Sequence, residues 1–320
     1  MNVASVLAQL RATTPLVHCL TNTVVPQITA NVLLAAGALL GFLISWSNAH
    51  GRSALADGFY LAHTTTMLLG FVGTTVLGTL TVLWPTMLRT PMEPVAPRWT
   101  TRGLPYLVGG TALVAACGLW PPLAGLGTLV YLGGACAVLV PAYRTARRVP
   151  PTSFATASAT ASVAWFVGCV AVLGARMSLA DDAAAAREVI HSLRLPLAAG
   201  FALQILVAAL SYLTPVMLGG GPAATRATNA IMDRFAAYRV TAANACLLLA
   251  LYPGAPWQVR VVAGALAALV TSYLLAGMML SLREVSQRKR PPRTPRTPAD
   301  ADPTSDPAGR RSAQLRRGTR

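Results

Sequence analysis

The sequence predicts an all-α, polytopic transmembrane helix bundle of about eight spanning helices, with both termini inside and a disordered basic C-terminal tail. Three observations predict it. Of 320 residues, 54% are hydrophobic and only 11% charged, whereas soluble domains carry about 25% charged residues. The charges are bunched between long neutral runs, while a soluble domain with an outsized core would scatter them along every helix. Arginine also alternates in density from gap to gap, as in chains that cross a bilayer repeatedly.

Eight stretches have cores free of Asp, Glu, Lys and Arg. Ala30–Trp46 opens the series; it is short and holds Asn31. Phe59–Trp84 carries Thr64, Thr65, Thr66, Thr74, Thr75, Thr79 and Thr81. So many hydroxyls disfavour a lipid-facing position, although each can bond its own backbone, so this helix is expected at the centre of the bundle. Leu104–Trp120 and Leu123–Tyr143 flank a Pro121–Pro122 turn. Phe154–Ala175 and Leu195–Leu218 follow, and "GGGP" at Gly219–Pro222 reads as the turn after a spanning helix rather than an anion-binding nest. Val240–Tyr252 needs Phe235–Arg239 to complete it, with Arg239 snorkelling to the interface, and Asp233 and Arg234 before it read as a surface pair. Val261–Leu282 closes the set. Most of the eight reach the ~20 residues that span a ~30 Å hydrocarbon core.

Trp46, Trp84, Trp120, Tyr143 and Tyr252 close their segments, as interfacial aromatics do. Small-residue steps such as Gly37/Gly41, with Gly70, Gly73 and Gly78, let helices approach closely.

Topology follows from the gaps taken alternately. One set holds Arg11; Arg89, Arg98 and Arg102; Arg144, Arg147 and Arg148; Arg226, Arg234 and Arg239; and the tail. The other holds Arg52, nothing at Pro121–Pro122, then Arg176, Arg187 and Arg194 diluted by Asp181, Asp182 and Glu188, and last Arg260. The arginine-rich side is cytoplasmic, which places both termini on the inner face of the cell's inner membrane. Of the 26 Lys+Arg behind the +16 net charge, 11 follow Leu282. They are expected against anionic lipid headgroups or in solvent, not on a specific nucleic acid. The Pro/Arg-rich segment 283–320 has almost nothing to bury and is expected to be disordered. The five cysteines show no ligand spacing, so neither a disulfide framework nor a metal knuckle is implied. Only Arg11 precedes the first apolar run, so no cleavable secretion signal is expected.

Residues 4–38 carry a different signal. "PLVHCLTN" at Pro15–Asn22, a short spacer, then "TANVLLAAGA" at Thr29–Ala38 resemble the N-terminus of hydroxyethylthiazole kinase, a soluble thiamine-salvage enzyme of ribokinase-like α/β fold. The resemblance implies an ATP-dependent phosphotransferase using Mg²⁺. Where that family continues with Ser-Pro-x-Met, this sequence has Leu39, Leu40, Gly41 and Phe42. Its Gly-x-Gly-Cys motif has no counterpart, and "GGAC" at Gly133–Cys136 lies inside an apolar run. Phosphoryl transfer needs an anion hole, a base and metal-binding carboxylates, so kinase activity is not expected. A gene fusion or misassembled reading frame that joins a kinase-like start to a membrane body is expected instead.

From about residue 58 to 282, Leu68–Gly73 "LLGFVG", Trp84–Thr90 "WPTMLRT" and Leu218–Pro222 "LGGGP" resemble the membrane region of actinobacterial copper oxidases related to copper-containing nitrite reductase. That region is distantly similar to the haem–copper oxidase core subunit and precedes cupredoxin domains. The resemblance implies a redox-associated membrane domain, with haem or copper as cofactor and a cupredoxin or electron-transfer partner. Three parts are expected: residues 1–38, the membrane domain 30–282 and the tail 283–320.

A complete oxidase centre uses about six histidines under this resemblance, and the chain has four: His18, His50, His63 and His191. His63 falls inside a spanning segment, where ionisable groups are functional candidates by default. His50 and His191 are expected in outside loops, so the three form a candidate metal set, with Met67 one turn from His63 as a soft cofactor ligand. The competing reading has His63 hydrogen-bonding a neighbouring helix and the loop histidines solvated; a proton-transfer role is a third. No catalytic residue is assigned. A non-catalytic membrane scaffold or permease is the remaining function class.

Overall fold

A computed structural model describes residues 24–289, and every regular element among them is helical. The kinase-like residues before Val24, His18 and Cys19 included, and the tail from Arg290 lie outside the described residues.

Ten helices follow in order: α1 Val24–Ala49, α2 Ser53–Met87, α3 Ala96–Ala115, α4 Pro122–Arg148, α5 Phe154–Met177, α6 Ala183–Ser192, α7 Pro196–Leu218, α8 Gly221–Met232, α9 Ala236–Leu251 and α10 Trp257–Lys289. Local chemistry sets several boundaries. Pro121 and Pro122 start α4, where a missing N–H costs nothing. Ser153 Oγ accepts from Thr156 N at 3.2 Å to open α5, and Asp182 Oδ1 accepts from Ala185 N at 2.7 Å to open α6. Gly219, Gly220 and Gly221 all take positive φ between α7 and α8, so "GGGP" is the expected turn.

Six helices are long and apolar enough to cross a membrane: α1, α2, α4, α5, α7 and α10. The described residues thus give an all-α polytopic bundle with six such helices where about eight are expected. The third and seventh stretches do fold as helices, but α3 carries Arg98 and Arg102 in its first turns. Helix α9 has 16 residues, ~24 Å at ~1.5 Å per residue, short of a ~30 Å core. At the other end α10 continues past Leu282 to Lys289, held by an ion pair from Arg288 Nε to Glu284 Oε1 at 2.7 Å. The helix therefore takes in the first residues expected to be disordered.

Helix α2 is central, as its threonines suggest. Leu61, Leu69 and Leu77 are fully buried, and Thr65 and Thr75 bond the carbonyls of Leu61 and Phe71 four residues back. Both α2 and α7 contain a π-helical stretch, Thr66–Gly73 and Pro196–Leu203. A π turn loosens the backbone ladder, and side chains from other helices take up the carbonyls. Tyr131 of α4 donates its hydroxyl to Leu69 O at 2.9 Å, and Ser162 of α5 donates to Phe201 O at 2.9 Å. The same two stretches meet through Tyr131, Phe166 and Phe201, whose successive ring centroids lie 6.3 and 4.5 Å apart.

Helices α3 and α4 form an antiparallel hairpin along a glycine seam. A Cβ on Gly110 would stand 2.5 Å from Tyr131 N, and one on Gly127 2.6 Å from Val114 N. One heptad away, Gly103 and Gly134 face each other's carbonyl oxygens at 2.8 Å from such a Cβ. Only hydrogen fits there.

The outer surface is apolar. Val32 and Phe42 on α1 and Leu269 on α10 are exposed, and only 11% and 17% of the most apolar windows of those two helices are buried. Faces like these are compatible with a lipid bilayer. Trp46, Trp120, Tyr143 and Tyr252 are exposed at helix ends. Trp84 is the exception: it is buried and donates Nε1–H to Ala142 O at 3.0 Å, so it pins α2 to α4 and is no interfacial anchor.

The seam gives a paired prediction. Gly127→Ala forces the hairpin apart and should cost ~1–3 kcal/mol. Gly133→Ala, where a Cβ meets nothing within 4 Å, should be neutral or stabilising by up to ~1 kcal/mol. Chemical denaturation in mixed micelles reads both.

Candidate functional site

His63 sits near the end of the first α-helical part of α2, just before the π stretch. Helix α1 crosses this face with Gly37 and Gly41 turned towards it. A Cβ on Gly41 would lie 3.4 Å from the imidazole, and one on Gly37 2.5 Å from Met67 Sδ. The expected small-residue step is thus what seats both side chains. His63 and Met67 are the two predicted ligands that the structure brings to one face.

The imidazole is oriented. His63 Nδ1 lies 2.8 Å from Gly37 O. A carbonyl only accepts, so Nδ1 donates this bond, and in the neutral tautomer Nε2 is the acceptor nitrogen. The ring is half-buried. That bond is the interhelical one the competing reading foresees, and it fixes the ring through Nδ1 alone.

His50 and His191 go elsewhere. His50, exposed after α1, donates from Nδ1 to Trp46 O at 2.8 Å and lies against the Trp46 ring at 4.6 Å. His191 ends α6 and docks on the start of α2. Arg187 Nη1 pairs with Asp57 Oδ1 at 2.9 Å, its Nε donates to His191 Nε2 at 3.3 Å, and its guanidinium lies 4.5 Å above the Tyr60 ring. His191 also stacks on Tyr60 with centroids 5.8 Å apart. This histidine is therefore packed rather than solvated. Among the described residues, no three His, Cys, Asp or Glu side chains gather closely enough to hold a metal ion. The expected set of His63, His50 and His191 is not assembled.

Two further expectations change. Arg239 does not snorkel: it is 5% exposed, with its guanidinium carbon 3.6 Å from the Phe154 ring centre and 4.2 Å from that of Tyr273. Its Nη1 donates to Met232 O at 2.8 Å, closing the C-terminus of α8. Asp233 and Arg234 are not a pair either. Asp233 Oδ1 accepts from Phe154 N at 2.8 Å and so caps α5 across the fold, while Arg234 covers Phe235. The sequence gives no signal for Asp233, because its partner lies 79 positions away. The Asp57–Arg187–Tyr60–His191 group escapes for the same reason.

These features define a class: an all-α bundle with six helices apolar enough for a bilayer and one oriented intra-bundle histidine. Comparison with known proteins adds a second strand at the N-terminus. The profile of the hydroxyethylthiazole kinase family matches residues 7–42. The hydroxyethylthiazole kinase of Cronobacter sakazakii is 45% identical over 60 residues, 19% of this chain and 23% of that protein. Those of Yersinia enterocolitica and Cutibacterium acnes are 49% and 48% identical over 55 and 56 residues, covering 17% and 18% of this chain and 21% and 20% of theirs. The chain spans less than a quarter of the length of the curated relatives it matches. No solved structure matches it. The family match ends within α1 and includes Gly37 and Gly41, so the kinase-like segment supplies the helix that holds His63.

The Asp233 cap is testable. Asp233→Ala leaves the first N–H of α5 without its acceptor and should lower stability by ~1 kcal/mol, read by thermal unfolding in detergent.

Proposed function

We propose that the chain is an integral membrane protein whose helical body serves as the membrane domain of a copper oxidase or nitrite reductase-type redox assembly, with His63 as its ligand for haem. One observation carries this reading. The bond from His63 Nδ1–H to Gly37 O fixes the imidazole and leaves Nε2 as the ligating nitrogen of its neutral tautomer, the second-sphere support that metal-bound histidines use. A copper centre fits poorly, since it needs several N and S ligands and the described residues gather none. Copper is therefore assigned to a cupredoxin or other electron-transfer partner. Haem iron asks for one axial nitrogen, which His63 can offer; a bound haem would supply one-electron transfer at membrane depth. Gly37 O holds the ring, and Met67 keeps α1 against it. The arginine distribution supports an inner-membrane location with both termini cytoplasmic.

A second reading is a non-catalytic scaffold or permease, favoured by the way the same His63–Gly37 bond serves helix packing. The kinase reading, with ATP and Mg²⁺, rests on residues 7–42 and lacks the family's glycine-rich anion hole in this sequence.

Visible absorption and metal analysis of the purified full chain separate them. The redox reading expects a haem spectrum lost in His63→Ala and kept in His50→Ala and His191→Ala. No chromophore after growth with haem precursors, or one unchanged in His63→Ala, overturns it. ATP-dependent phosphorylation of hydroxyethylthiazole would instead establish the kinase.

A further inference from the structure

A cavity of ≈ 220 Å³ lies between α5, α7, α9 and α10, away from His63. Its walls are apolar and narrow, built from small residues such as Ala199, Ala243, Gly264 and Ala267. Its polar side chains are Arg239, Gln204, Asn244, Ser158 and Thr271.

Arg239 is 5% exposed, and its Nε is buried without a hydrogen-bond partner among the described residues. Gln204 Oε1 is likewise buried and unpartnered. The nearby carboxylate of Asp233 is engaged by Phe154 N, and the ion pairs among the described residues do not include Arg239. Two aromatic faces, the carbonyls of Met232 and Arg234, and the field of Asp233 soften the cost of this buried cation, but no carboxylate among the described residues forms an ion pair with it. Such a charge is expensive in a low-dielectric setting unless paired.

The cavity has a direction. Tyr273 of α10 packs on Arg239 at one end, and Arg260 Nε donates to Ala250 O at 3.0 Å at the other. Arg239 and Ala250 both border the cavity. They are eleven steps apart on α9, ~16 Å at ~1.5 Å per residue. That is about half of a ~30 Å hydrocarbon core, the depth of one leaflet. A buried cation at one end and an apolar slot of this length match one kind of occupant.

We propose that this cavity binds an anionic phospholipid, with one acyl chain in the slot and the phosphate on the Arg239 guanidinium. The site is independent of the haem reading and needs only a bilayer around the bundle. Arg239 supplies the charge recognition, and the small residues of α9 and α10 supply the room.

Native mass spectrometry of the full chain in detergent, titrated with phosphatidylglycerol, phosphatidylcholine or oleate of matched chain length, tests it. Phosphatidylglycerol should be retained at least tenfold better than phosphatidylcholine, and Arg239→Gln should abolish that difference. Because Arg239 also closes α8, that variant can fail to fold. Ala243→Leu therefore fills the slot with the charge left in place, and it should lose bound phosphatidylglycerol while keeping the native helical circular dichroism. Equal retention of the two phospholipids overturns the proposal, as does phosphatidylglycerol binding that survives Ala243→Leu. Retention of oleate without phosphatidylglycerol assigns the cavity to a free fatty acid and overturns it too.

Discussion

Every backbone carbonyl released from a helix in an apolar interior must find a donor inside the protein, since no water is there to replace it. The two π-helical stretches release such carbonyls at the middle of this bundle. Tyr131 answers at Leu69 and Ser162 at Phe201. Those two bonds explain why α4 and α5 sit between α2 and α7, and why the aromatic line from Tyr131 through Phe166 to Phe201 forms the deepest core. A Cβ on Gly73 would meet both the Tyr131 hydroxyl and the Phe166 ring, so the π stretch and its donor are matched.

Around this centre, packing relies on close approach. With apolar surface left on the outside, burial of greasy area between helices yields little in lipid, and van der Waals fit has to hold them. The α3–α4 seam does this with glycines one heptad apart on each strand of the hairpin, and α1 does it at Gly37 and Gly41. At the second contact the fit also fixes chemistry. A larger residue at Gly37 would displace Met67 and carry α1, with its carbonyl, away from His63.

Much of this was legible in the sequence. Uncharged runs marked the helices, and the threonines marked α2 as central. The Gly37/Gly41 step was visible as a contact. What escaped depended on partners distant in the chain. Arg239 looked like a snorkelling residue because Phe154 and Tyr273, which clamp it, lie 85 positions before and 34 after it. Trp84 read as an interface anchor because Ala142 O cannot be foreseen from a helix end. The α3–α4 seam did leave a trace: Gly103, Gly110, Gly127 and Gly134 are spaced symmetrically about Gly118–Leu119, just before the Pro121–Pro122 turn. Helices α3 and α9 fall short as spans for different reasons: α3 takes Arg98 and Arg102 into its first turns, and α9 has only 16 residues. The histidine trio failed because loop position alone does not aim a side chain, and Arg187 and Trp46 claim His191 and His50.

Among the described residues, the kinase-like start meets the greasy remainder mainly where α1 lies on α2. The exposed apolar outer faces of α1 and α10 are compatible with a covering of lipid. Spin labels at Val32→Cys and Leu269→Cys, in a chain whose own cysteines are replaced, report this in proteoliposomes through collisions with dissolved oxygen and with a water-soluble nickel chelate. Oxygen should dominate at both positions. Collisions dominated by the nickel chelate would show these faces in water and contradict the account.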